Sequence, residues 1–159
     1  MSLTAADNRP AFKPAPAGLH PAVCVDVVDH GDVMTPFRPK PVRQISLRWQ
    51  IDKADPETGR RFVVSRRYTL SLNERATLSK DIENWRSVAF TAAERRSGFA
   101  LESLIGENCL LQVVQEAAKD GSGTMFSRVR AVLPSNGTTL RAEGYTRVID
   151  RPQTDRRAA

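Results

Sequence analysis

Hydrophobic and polar positions alternate along most of this chain, with one interval of helical spacing. Strand-like runs lie at Pro21–Val28, Arg43–Asp52 and Arg61–Leu70, a helix at Glu74–Ser87, and further strands at Asn108–Glu116 and Met125–Leu133. In the first run Val23, Val25 and Val27 alternate with Cys24 and Asp26, as in a strand with one buried face. In the second, Ile45, Leu47, Trp49 and Ile51 oppose Gln44, Ser46, Arg48 and Gln50, which places Trp49 in the core. The third has two competing faces: Phe62, Val64, Arg66, Tyr68 and Leu70 against Arg61, Val63, Ser65, Arg67 and Thr69. The pattern leaves open which is inside, and a bulge near Arg66 and Arg67 would reconcile them. The fourth, from Cys109 to Val114, is nearly all apolar, which implies burial on both faces, under a helix or against a second copy of the chain. The fifth sets Phe126, Arg128 and Arg130 against Val129, Ala131 and Leu133.

Punctuation supports these divisions. Ser71–Glu74 has the capping-box spacing, and Leu78, Ile82 and Trp85 follow on one helical stripe. Thr91–Glu94 repeats the box and predicts a short second helical segment. Phe99, Leu101, Leu104 and Ile105 form an apolar plug before Gly106, a helix-ending glycine. Turn-forming residues fill 29–42, 54–59 and 120–123, and Asn136-Gly137 marks a tight turn before a short strand within Thr138–Ile149. Residues 1–17, rich in Ala and Pro, are expected to form a flexible arm, 18–149 one domain, and 150–159 a disordered polar tail. The resulting β-β-β-α-β-β order predicts a mainly β fold, a single OB-like five-stranded barrel with a helix and a short helical segment between strands 3 and 4.

Charge sharpens this picture. Within 159 residues the formal net charge is +6, and arginine outnumbers lysine 19 to 5. Residues 43–67 hold Arg43, Arg48, Lys53, Arg60, Arg61, Arg66 and Arg67 against Asp52, Asp55 and Glu57, a net of +4 in one hairpin. Guanidinium groups fork onto phosphates and stack on bases, so a clustered excess points to nucleic acid. OB barrels hold single strands on the face of strands 2 and 3, and aromatic rings beside the charge would receive bases. The candidate nucleic-acid-binding residues are therefore Phe37, Arg38, Lys40, Arg43, Arg48, Arg61, Arg66, Arg67, Tyr68, Phe126, Arg128 and Arg130. Trp49 and Trp85 read as core.

Other chemistry is faint. His20 and His30 lie near Cys24, Asp26, Asp29 and Asp32 without the ligand spacing of a zinc site, and they read as structural. There is no phosphate-binding loop of the G-x-x-x-x-G-K-[ST] type and no nucleophile elbow, so neither enzymatic activity, a metal nor a cofactor is expected. Cys24 and Cys109 read as small buried hydrophobes, with a disulfide open to them if strands 1 and 4 pair. With no apolar stretch of bilayer length and no leader-like N-terminus, a cytoplasmic protein is expected.

Several segments together resemble a known family. They are Tyr68–Leu72, Leu78–Arg86 with its Trp85-Arg86, Phe90-Thr91, Gly98-Phe99, and Leu104–Leu111 with Gly106 three residues before Cys109. Over roughly residues 17–134 the chain is similar to small phage and prophage proteins described as single-stranded DNA-binding proteins of OB type. The resemblance implies non-sequence-specific binding of single-stranded DNA, or of RNA, in phage DNA replication or recombination inside the bacterial host. Phage or host replication proteins would be its partners. Bacterial single-strand-binding proteins end in an acidic tip, whereas this tail carries Arg141, Arg147, Arg151, Arg156 and Arg157 against Glu143, Asp150 and Asp155. The alternative function is a protein-binding adaptor of a replication or recombination complex, using the apolar fourth strand as its surface, which a homodimer would also use.

Overall fold

The computed structural model describes Leu3, Ala5 and residues 13–152. Five antiparallel strands form one sheet: β1 (Gly18–Val33), β2 (Val42–Ala54), β3 (Arg61–Thr69), β4 (Asn108–Ala117) and β5 (Met125–Leu133), in the order β3-β2-β1-β4-β5. Helices α1 (Thr77–Arg86) and α2 (Ala92–Ser97) and a 3-10 turn at Leu101–Leu104 lie between β3 and β4. The element order is the one expected, and the fold is mainly β.

The sheet is not closed into a barrel. Its edges, β3 and β5, approach each other, but no ladder joins them. Arg66 crosses the gap, its Nη1 donating to the Arg130 carbonyl at 3.3 Å.

β1 is long because it serves two partners. Residues Gly18–Val23 pair with β4 and Ala22–Val33 with β2. A bulge between Cys24 and Asp26 marks where it leaves β4, and the freed backbone bonds Glu107 O (3.0 Å) and Gly106 N (2.8 Å) instead. The inner face buries Ala22, Cys24, Ile45, Leu47, Trp49, Ile51, Val64, Leu111 and Val113. Leu78, Ile82 and Trp85 of α1 fill the same core, as their spacing requires, with the rings of Trp49 and Trp85 6.0 Å apart. Trp85 Nε1 donates to the Asn108 carbonyl at 2.8 Å, which ties α1 to the start of β4.

The two faces of β3 are resolved without a bulge at Arg66-Arg67. Its register with β2 runs unbroken from Gln44↔Thr69 to Gln50↔Val63. Phe62, Val64 and Tyr68 pack inward, and Arg66 shares their parity. That arginine is tolerated because Asp81 of α1 meets it at 2.9 Å, pairing the partly buried charge.

Four other expectations need correction. Helix α1 starts at Thr77, not Glu74, and its N-cap Ala76 offers no side-chain bond. Ser71 and Asn73 instead close local turns, accepting from Asn73 N (3.1 Å) and Arg75 N (2.9 Å), a competition with helix that short polar side chains often win. The second box, Thr91–Glu94, does form and starts α2. In β5, Arg130 is an extra residue between Ala131↔Gln112 and Val129↔Val113, so parity flips there and Val132 is buried beside Val129. β4 buries one face, Cys109, Leu111 and Val113. Leu110 and Val114 on the other are half-buried, and Gln112 is exposed.

Thr138–Ile149 is not a strand. Residues 138–147 form an irregular strap over the outer face of β1 and β2, held by side chains, and a 3-10 turn at Val148–Asp150 ends it. Asp26, only 1% exposed, accepts from Tyr145 Oη (2.8 Å), Arg147 Nε (3.0 Å) and Val148 N (2.9 Å). Gln50 exchanges two bonds with the Glu143 backbone (2.6 and 2.8 Å), and Asn108 Oδ1 accepts from Leu140 N at 2.7 Å. Leu140 packs on Val23 and Val25.

Most of the N-terminal arm, residues 1, 2, 4 and 6–12, lies outside the described residues, as do 153–159 of the tail. Ala15 is buried, and its carbonyl accepts from Gln115 Nε2 at 3.0 Å. Cys24 and Cys109 are both free thiols, and burial pushes Cys24 up to about 12.

Candidate functional site

The edge position of β3 leaves one flank of that strand open. Gln44 on β2 and Ser65, Arg67 and Thr69 on β3 reach it from the outer face, and Arg66 from the inner one. The turns at Ser71 and Asn73 then carry the chain around the strand end and set Arg75 and Thr77 on the rim. The loop between β1 and β2 brings Arg38, and β5 brings Arg128. These residues line a groove of about 1000 Å³. Five arginines line it, and no Asp or Glu does.

Each guanidinium is held differently. Arg66 is fixed by Asp81, which sits behind it and also accepts from Tyr68 Oη at 2.6 Å. Arg67 Nε donates to the neutral Gln44 Oε1 at 2.6 Å and so keeps its full charge. Arg128 meets Glu116 at 3.3 Å, both well exposed, a weak pair. Arg38 and Arg75 have no ion pair among the described residues. Such a concave array, with no carboxylate among its lining residues and three arginines without an ion pair, attracts an anion and leaves phosphate oxygens as its natural partners.

The expected residues divide into three groups. Arg38, Arg66, Arg67 and Arg128 line the groove together with Tyr68. Phe37, Lys40 and Arg130 are exposed nearby in sequence, Phe37 at 91% and next to Arg38. Phe126, 37% exposed, stands two residues before Arg128 on β5. The rest are committed elsewhere. Arg43 is paired with Asp29. Arg61 donates to the Arg141 carbonyl (2.7 Å) and to Glu143 (3.2 Å), so the strap holds it. Arg48 lies on the outer face of β2 with its guanidinium beside the Tyr145 hydroxyl of the strap, while its Nε is buried without a partner. Tyr68 is a correction as a stacking residue. It is 3% exposed, its ring lies in the core under Arg66, and its hydroxyl is pushed up by burial first and then by Asp81.

The sequence pattern does not single out Ser71, Asn73, Arg75 and Thr77, because the Ser71–Glu74 spacing predicts a helix cap. The signal was there: serine, asparagine and arginine alternate at 71, 73 and 75, as in consecutive turns. Among the described residues no group of three or more His, Cys, Asp and Glu could hold a metal ion, and no helix is long and apolar enough to cross a membrane. No family model matches the sequence, and a search of curated proteins finds no significant match.

Proposed function

We propose that this chain binds single-stranded nucleic acid without sequence preference, using an OB-type sheet, and that it serves phage DNA replication or recombination. One observation carries the reading: five arginines converge on a groove that contains no carboxylate. The strand order, with β3 and β5 facing each other across a gap, agrees with the partly open barrel of OB folds. The phosphodiester backbone would follow the groove, releasing counterions as each phosphate is neutralised. Phe37 and Phe126 stand near the arginines with their rings accessible, and bases would stack there. Stacking needs unpaired bases, so a single strand is preferred to a duplex. The surface that an adaptor would use is reduced, because β4 lies between β1 and β5 with Cys109, Leu111 and Val113 in the core.

The test is a titration of labelled oligothymidylate and of a matching duplex at several salt concentrations, with the wild type and the double variant Arg38→Ala, Arg75→Ala. Neither residue supports the core, so the variant folds. The expected result is weaker binding to every sequence and a salt slope smaller by about 1.4, from ~0.7 per lost phosphate contact on a single strand. Equal affinity for duplex, or a variant with unchanged slope, would overturn the assignment.

A further inference from the structure

We propose that the outer face of the sheet carries a second phosphate-binding position, formed by His30, Arg67 and Arg48 around Ser46, which continues the arginine groove across β2 towards β1. The proposal rests on the reading of the groove given above and extends its path.

The register places these groups together. Ser46 of β2 is directly opposite Arg67 of β3 on one side and Val28 of β1 on the other. His30, in the bulge between Asp29 and Gly31, returns to the same row, with its Nε2 2.7 Å from Ser46 Oγ. Arg48 is two residues along on the same face of β2, opposite Ser65. Arg67 belongs to both places, because it also lines the groove, where Gln44 orients it. The strap ends the path on the far side, with the Tyr145 hydroxyl beside Arg48 and bound to Asp26.

The charges facing His30 are two cations and one anion. Arg48 comes from β2 and Arg67 from β3, while Asp29 on its own strand is bound by Arg43. Burial first, then Arg67 and Arg48, hold the ring below the usual histidine value. A phosphate seated between the two arginines would offset their charge and allow the ring to take a proton. The imidazolium would then donate from Nε2 to Ser46 and from Nδ1 to the phosphate. Binding therefore takes up a proton, and affinity falls as pH rises. Arg48 is half-buried on this face, with the Tyr145 hydroxyl of the strap beside its guanidinium.

Two measurements test the proposal. The first is the affinity of labelled oligothymidylate from about pH 5 to about pH 8 for the wild type, for His30→Gln and for Arg75→Ala. Glutamine keeps a hydrogen bond to Ser46 but cannot take a proton. The wild type should lose about three- to tenfold in affinity across this range, and His30→Gln should lose less than about twofold. Arg75→Ala should bind more weakly yet keep the wild-type pH dependence. If Arg75→Ala weakens binding while His30→Gln retains the full pH dependence, the second position is wrong and the groove stands. The second measurement follows both histidine rings by NMR while inorganic pyrophosphate is added. His20, which bonds the Pro16 carbonyl at 2.7 Å, is the internal reference. A shift confined to His30 upholds the position even where no oligonucleotide binds, in which case the groove reading fails by itself. Absence of any His30 response to either ligand overturns the proposal.

Discussion

Asp81 shows how one carboxylate fixes several features of this molecule. Its Oδ2 accepts from Tyr68 at 2.6 Å and from Arg66 at 2.9 Å, so a core ring and a groove arginine share one anchor. Burial raises the carboxyl above its ordinary value, with Tyr68 and Arg66 acting in the opposite direction. The native state thus holds this proton more tightly than the unfolded chain. Stability from this group is present at low pH and is lost as pH rises through the native value. Two outcomes follow. Asp81→Ala should cost about 2–3 kcal/mol, since Arg66 and the tyrosine hydroxyl are left unpaired. Asp81→Asn should cost less, and its deficit against the wild type should shrink as pH rises from about 3 to about 6. Urea unfolding across that range measures both, and a deficit that grows with pH would contradict a burial-dominated shift. The alternation of β3 groups Arg66 with Tyr68 but leaves open whether that face is inside, and Asp81, which decides it, lies on another element.

Two connecting elements owe their conformation to side-chain anchors. The strap over β1 and β2 has no ladder, and Asp26 replaces one by accepting three bonds. Asp26→Ala would leave Arg147 without its buried partner, at about 3–5 kcal/mol. The melting temperature should fall by on the order of 10 °C, and amides of residues 140–150 should lose exchange protection before those of the sheet. Simultaneous loss across strap and sheet would mean that the strap is not a separate unit. At α2, Arg86 forks onto Glu94 at 3.0 and 3.1 Å while lying 4.1 Å over the Phe90 ring. Arg86, then the Thr91 backbone, pulls the Glu94 carboxyl from 4.5 to about 2. The support this gives α2 is full above 4.5 and is lost as pH falls towards 2. Exchange protection of α2 should follow that window, and Glu94→Gln should show the loosened state already at neutral pH. The Thr91 box was readable because capping is local. The strap reads as a strand in the sequence because extended backbone has one appearance there whether its partner is a ladder or a row of side chains.

Across the whole molecule the arginines are sorted into two populations. Some, including Arg43, Arg61, Arg86 and Arg147, are bound to carboxylates and hold elements together. Others gather where the sheet is open, around the end of β3: Arg38, Arg67 and Arg75, which have no carboxylate partner among the described residues, beside Arg66 on Asp81 and Arg128 on Glu116. Net charge alone would predict diffuse, weak attraction to any polyanion, whereas the groove predicts a bounded number of contacts. Its five arginines should give a slope of log affinity against log salt near −3.5 for a single strand, at ~0.7 per phosphate. A slope near zero would mean that binding does not use the groove. A slope near that expected for every cation in the chain would mean that binding is not confined to it.

The chain alone determined the order of the five sheet strands and of the helical segments between the third and fourth, because alternation, helical spacing and turn residues are local consequences of backbone geometry. It also determined that Trp49 and Trp85 are core and that arginine gathers in the β2–β3 hairpin. Tertiary structure decided the rest. It left the β3–β5 edge open, turned Tyr68 and Arg66 inward onto Asp81, drew Arg61 under the strap, and brought Arg38, Arg75 and Arg128 to one groove from three separate segments. These outcomes depend on which distant residue supplies the opposing charge or hydrogen bond, and no local period along the chain encodes that.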